Sequence, residues 1–165
     1  MNLLAGKIHS AHSPFTKLCL LRIIISITAF AWLAGIVSPA FTFPDDHLVL
    51  FQPIVKHSYS LVCHQDEAKS FFLNGQKIFV CARCTGIYSA VFLSSLFLMA
   101  FNFRFSLNKK LLWISLLIMV VDGLSVITGL YNYNKISAAM TGAFFGSVVF
   151  IYISAAIENS IMKKN

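Results

Sequence analysis

Apolar residues along this chain fall into four long runs separated by polar segments. They cover about 19–38, 85–103, 111–130 and 136–157. The first has Arg22 near its start and is closed by Pro39. The second and fourth carry no charge, and the third carries one, Asp122. Each run is close to the ~20 residues that an α-helix needs to cross ~30 Å of hydrocarbon. The pattern predicts an all-α fold, a four-helix transmembrane bundle, with residues 1–165 as a single membrane domain. Four buried helices of a water-soluble bundle are the alternative, but a chain of 165 residues cannot supply enough polar surface to cover them.

The segment 40–84 between the first two runs has its own pattern. Phe43-Pro44-Asp45-Asp46-His47 breaks the chain and offers an acidic N-cap. From 48 to 62 the apolar residues are interrupted by Gln52, Lys56, His57 and Ser60, which recur at helical spacing. This predicts an amphipathic helix along the membrane surface, with Pro53 in its first turns. Two β-prone stretches, 70–73 and 76–80, then flank Asn74-Gly75. Asn-Gly between such stretches is a strong signal for a short β-hairpin. That hairpin would bring Cys63 and His64 back toward Cys81 and Cys84.

Composition and charge add the orientation. Hydrophobic residues make up 58% of the chain and charged ones 12%, against about 25% charged in a soluble domain. Lys7, Lys17, Arg22, Arg104, Lys109, Lys110, Lys163 and Lys164 lie on one side of the expected spans. Lys56, Lys69, Lys77 and Arg83 are spread through the long loop, and Lys135 joins the last two spans. Density of Lys and Arg predicts both termini in the cytoplasm and an extracytoplasmic loop. The net charge of +7 follows from this bias and gives no reason to invoke nucleic acid. The partner implied is the lipid bilayer. The first run exceeds the 7–15-residue core of a cleaved leader and is read as a retained helix.

Candidate chemistry is concentrated in the loop. Cys63-His64 precedes Cys81-Ala82-Arg83-Cys84-Thr85-Gly86. Cys-x-x-Cys lets two thiolates face one ion. Cys63, His64, Cys81 and Cys84 form a donor set suited to Zn2+. Neighbours Cys63 and His64 cannot easily both bind one ion, so His64 is alternatively a supporting group and His57 a substitute. The same spacing serves thiol–disulfide chemistry, with Arg83 lowering a thiol pKa and Cys63 acting as relay. In that case the protein resembles, in architecture only, quinone-linked disulfide-forming membrane enzymes. A structural disulfide from Cys63, in a partner-binding subunit, is the third reading. Cys19 is expected to be a buried apolar residue.

Cys63-His64-Gln65, Ser70-Phe71 and Cys81-Ala82-Arg83-Cys84-Thr85-Gly86-Ile87-Tyr88 resemble a family of small membrane proteins known as DUF2085, as do Asp122-Gly123 and Thr141-Gly142. The resemblance covers roughly residues 50–150. It implies a multi-pass protein of the bacterial inner (cytoplasmic) membrane with a Cys-rich outer motif, and no particular activity. The family pattern implies an arginine shortly before the second Thr-Gly. Here Ser137, Ala138, Ala139 and Met140 stand there, leaving that stretch without a cationic partner for Asp122.

Asp122 is the second candidate site. A carboxylate within a span costs at least ~2.5–3.5 kcal/mol on insertion scales, so it should face the bundle interior. The short connection 131–135 makes the last two spans antiparallel and predicts that Asp122 and Thr141 meet toward the cysteine side. They would act either as interhelical glue or as a proton or cation relay. Gly142 and Gly146 predict close helix packing, and Trp113, Tyr131 and Tyr133 an interfacial belt. No nucleotide loop, serine elbow or His-Glu-x-x-His occurs, so no catalytic or organic-cofactor residue is assigned.

Overall fold

The computed structural model describes residues 14–41, 52–101 and 108–163. Helix α1 spans Pro14–Val37 and continues into a 3-10 turn, Ser38–Phe41. A short helix α2, Gln52–Ser60, precedes strands β1 (Ser70–Leu73) and β2 (Gln76–Cys81). Helices α3 (Ala82–Phe101), α4 (Lys109–Ile127) and α5 (Lys135–Lys163) complete the chain. The expected acidic cap at 43–47, the start of the surface helix at 48–51 and the end of the second run at 102–103 lie outside the described residues.

Among the described residues, four stretches are long and apolar enough to cross a membrane: Leu18–Phe41, Ala82–Phe101, Lys109–Ile127 and Lys135–Ser160. Large apolar side chains such as Ile27, Leu93, Leu117 and Ile153 stay exposed on their outer faces. In water such a surface would aggregate; against lipid tails it costs nothing. The fold is an all-α four-helix bundle with a small hairpin at one end.

Helix α3 lies between α1 and α5, and α4 packs on α5. The α3–α5 pair is tight because small residues line it. A Cβ at Gly86 would run into the Ala139 carbonyl, and one at Gly146 would come within 2.7 Å of the Ile87 carbonyl oxygen. This is the backbone-to-backbone approach that small residues permit between spans.

Two features depart from the expected pattern. The fourth run was expected to end at 157 without a charge, but α5 continues and buries Glu158. Arg22 of α1 makes this tolerable. Its Nη2 is 2.7 Å from Glu158 Oε1, its Nε donates to the same oxygen at 2.8 Å, and its Nη1 donates to the Leu98 carbonyl at 2.8 Å. The pair ties α1, α3 and α5 at the end remote from the hairpin. Cys19, expected to be buried, is exposed on α1. It occupies the lipid-facing side, where a small apolar thiol is equally at home.

The hairpin caps the other end. Asn74 and Gly75 both take positive φ (49° and 76°), so a two-residue turn reverses the chain. The register pairs Leu73 with Gln76 and Phe72 with Lys77, then shifts so that Ser70 faces Cys81. Asn74 Nδ2 donates to the Ala40 carbonyl at 3.1 Å, which pins the turn to the end of the first span. Ile78, Phe79 and Val80 of β2 are buried with Ile36 and Tyr59. Trp32 stacks edge-on to Tyr59 at 4.8 Å, and the Tyr59 hydroxyl donates to the Trp32 carbonyl. The cap is therefore a small hydrophobic core of its own, seated on α1.

Candidate metal centre

Cys63, Cys81 and Cys84 come together where this cap meets the bundle, their sulfurs all within 4.8 Å of one another. Three separate local structures deliver them. Cys63 follows the end of α2, its amide donating to the Tyr59 carbonyl at 3.0 Å, and its side chain is buried in the cap core. Cys81 ends β2, and Cys84 lies in the first turn of α3. The Cys81 amide donates to Cys63 Sγ at 3.2 Å, an N–H···S contact joining the two chain segments.

The polypeptide around Cys63 is held from outside. Gln65 adopts a positive φ of 53°. Its side chain donates to the Lys56 carbonyl at 2.8 Å, and its own carbonyl accepts from Lys77 Nζ at 2.5 Å. With Cys63 turned inward, His64 is exposed, as is His57. Among the described residues, neither histidine belongs to the group whose ligand atoms converge.

The first turn of α3 is also well supported. The Ala82 amide donates to the Lys69 carbonyl at 2.8 Å, and the Thr85 hydroxyl donates to the Cys81 carbonyl at 3.0 Å. The Cys81 thiol is pulled down to about 5, chiefly by the hydrogen bond from the Cys84 thiol, with burial opposing. Burial pushes the nearby Tyr133 hydroxyl up to about 12, and the negative charge of Cys81 adds to this.

The donor set fits a soft or borderline cation. Thiolates of a tetrahedral zinc site sit ~2.3 Å from the ion and hence about 3.8 Å from each other. The three sulfurs need only a modest contraction to reach that arrangement. All three are free thiols.

Asp122 is buried on α4, at the same end of the bundle. Arg83, between the two cysteines of the Cys-x-x-Cys turn, places Nη2 2.5 Å from Asp122 Oδ2. Tyr131 donates to Oδ1, and the hydroxyls of Ser137 and Thr141 lie 3.3 Å from Oδ1 and Oδ2. That hydrogen bond to the carboxylate raises the Tyr131 pKa. Neither Arg83 nor Tyr131 was legible as a partner of Asp122. The available signal was depth: Arg83 opens α3 at the level where α4 carries its carboxylate.

The family pattern called DUF2085, described as a predicted membrane protein, matches residues 63–152. The chain belongs to this family. An uncharacterized protein of Methanocaldococcus jannaschii is 38% identical over 109 residues, which are 64% of this chain and 70% of that protein. An uncharacterized protein of Methanothermobacter thermautotrophicus is 29% identical over 87 residues, 51% of this chain and 77% of that one. Both relatives are archaeal, so the expected bacterial membrane finds no support in them. No solved structure matches. The matched segment opens at Cys63 and takes in Cys81, Cys84, Arg83, Asp122 and Thr141. The DUF2085 segment thus contains both the thiol cluster and the buried carboxylate.

Proposed function

We propose that this DUF2085 protein is a metal-binding membrane protein whose Cys63, Cys81 and Cys84 thiolates hold one Zn2+ on the extracytoplasmic side. The observation that carries this reading is the convergence of three sulfurs, from two distant segments, within 4.8 Å. Thiolates select borderline and soft cations, and three of them leave one zinc coordination position for water, substrate or another ligand. The bias of Lys and Arg supports cytoplasmic termini, with the cap and its cysteines outside.

A second reading is thiol–disulfide exchange by Cys81 and Cys84. The placement of Cys81 immediately before α3 favours it, as does the low pKa that Cys84 imposes. Helix N-termini stabilise thiolates in this way.

One labelling experiment tests the side and the state together. A membrane-impermeant maleimide is applied to intact cells, with and without a zinc chelator. The cluster cysteines are expected to be protected until the chelator is added and then to be labelled from outside. Labelling only after lysis would contradict the orientation. Labelling that requires a reductant instead of a chelator would favour the disulfide chemistry.

A further inference from the structure

The intramembrane pair Arg83–Asp122 lies one side chain away from the thiol cluster, and the metal-site reading above gives it no part. We infer that Arg83 is a positioning residue of the thiol site: paired with Asp122, it locks the Cys81–Cys84 turn to the α4–α5 hairpin and so sets how tightly the site binds its ion. This rests on the metal-site reading and extends it to residues that touch no ligand.

Arg83 is gripped at three points along its length. Its backbone carbonyl lies against Gly142 of α5, so closely that no Cβ fits there. Its Nη1 lies 3.3 Å from where a Cβ on Gly123 of α4 would stand. Its Nη2 makes the 2.5 Å ion pair with Asp122. Asp122 is itself held by Tyr131 in the α4–α5 connection and by Ser137 and Thr141 in the first turns of α5. Arg83 Nε, by contrast, is buried with no acceptor among the described residues. Satisfying the whole guanidinium is thus subordinate to where the chain places it.

The consequence for the cysteines is geometric. Cys63 reaches the site on the cap, its amide held by the Tyr59 carbonyl and the Gln65 carbonyl two residues on held by Lys77. Cys81 reaches it at the end of β2 and Cys84 on the first turn of α3, the turn that contains Arg83. Whether three sulfurs meet depends on the placement of that turn relative to the cap. Groups that orient metal ligands without touching the ion commonly change metal affinity by 10–100-fold.

The bundle supplies its own control. Arg22–Glu158 is a second part-buried Arg–carboxylate pair, at the opposite end of the helices. If Arg83–Asp122 were glue alone, disrupting either pair would have the same kind of effect.

The test is Zn2+ affinity by chelator competition on detergent-purified full-length protein, with the Co2+–thiolate charge-transfer band as a second readout. Asp122→Asn and Arg83→Gln are each expected to weaken Zn2+ binding about 10–100-fold and to alter the Co2+ band. The double variant should be no weaker than the weaker single, because both changes remove one interaction. Arg83→Lys keeps the charge and should lose less; it is also the variant to use if Arg83→Gln does not fold. Glu158→Gln should lower thermal stability and leave affinity and spectrum unchanged. Unchanged affinity and spectrum in folded Asp122→Asn and Arg83→Lys, with wild type binding normally, would overturn the inference. Wild-type protein that binds neither Zn2+ nor Co2+ would instead overturn the metal site itself, and the inference with it.

Discussion

Cys63→Ser should abolish stoichiometric metal binding, whereas His64→Ala should leave it in place. Cys63 is the donor on which the proposed site depends most, because it comes from a different chain segment than the Cys-x-x-Cys turn. Its sulfur is buried in the cap core and already accepts a hydrogen bond from the Cys81 amide. A serine hydroxyl is a far poorer donor to zinc than a thiolate, and two remaining thiolates do not make a closed site. Loss of metal should loosen the cap as well, since binding free energy at such sites is also folding free energy. Faster proteolysis between α2 and α3 would show this. His64 points to solvent and is outside the converging group. Metal content measured on both variants separates the outcomes. Retention by Cys63→Ser, or loss in His64→Ala, would require a different donor set.

Arg22→Leu should destabilise the bundle by about 3–5 kcal/mol, the usual consequence of removing one partner from a buried ion pair. Glu158 would remain among apolar residues at 8% exposure, and the Leu98 carbonyl would lose a donor. The double change Arg22→Leu/Glu158→Leu should recover most of that loss, because a well-packed apolar pair often replaces a buried ion pair at little cost. Unfolding in detergent, followed for the single and double variants, tests both statements. A double variant as unstable as the single would mean that the cost lies in packing along the Arg22 stem and not in the orphaned carboxylate.

The spans were legible because each is a continuous apolar run, and bilayer thickness fixes the length required. The hairpin was legible because Asn74-Gly75 is one of few dipeptides able to take two positive φ values in succession. The cysteine group was legible in part. Spacing identifies Cys81 and Cys84 as neighbours, and the expected hairpin already turns the preceding segment back toward them; the register shift that sets Ser70 opposite Cys81 carries no sequence signal. Adjacency already sets His64 against Cys63 as a second ligand, and the local geometry shows which of the two turns inward: Gln65 has positive φ, Cys63 is buried and His64 is exposed. Both intramembrane ion pairs were missed for one reason. Arg22, Arg83 and Glu158 stand near the ends of apolar runs, where charges ordinarily reach water or headgroups. Their pairing depends on which helices are neighbours, and that order, with α3 between α1 and α5, is a tertiary property.

The most direct test of the metal centre is the zinc content and sulfur coordination of protein purified without chelator. X-ray absorption at the zinc edge, combined with elemental analysis, gives both. The expected result is about one zinc per chain with three sulfur neighbours at ~2.3 Å. Metal-free protein carrying a Cys81–Cys84 disulfide, or zinc whose neighbours include no sulfur, would contradict it.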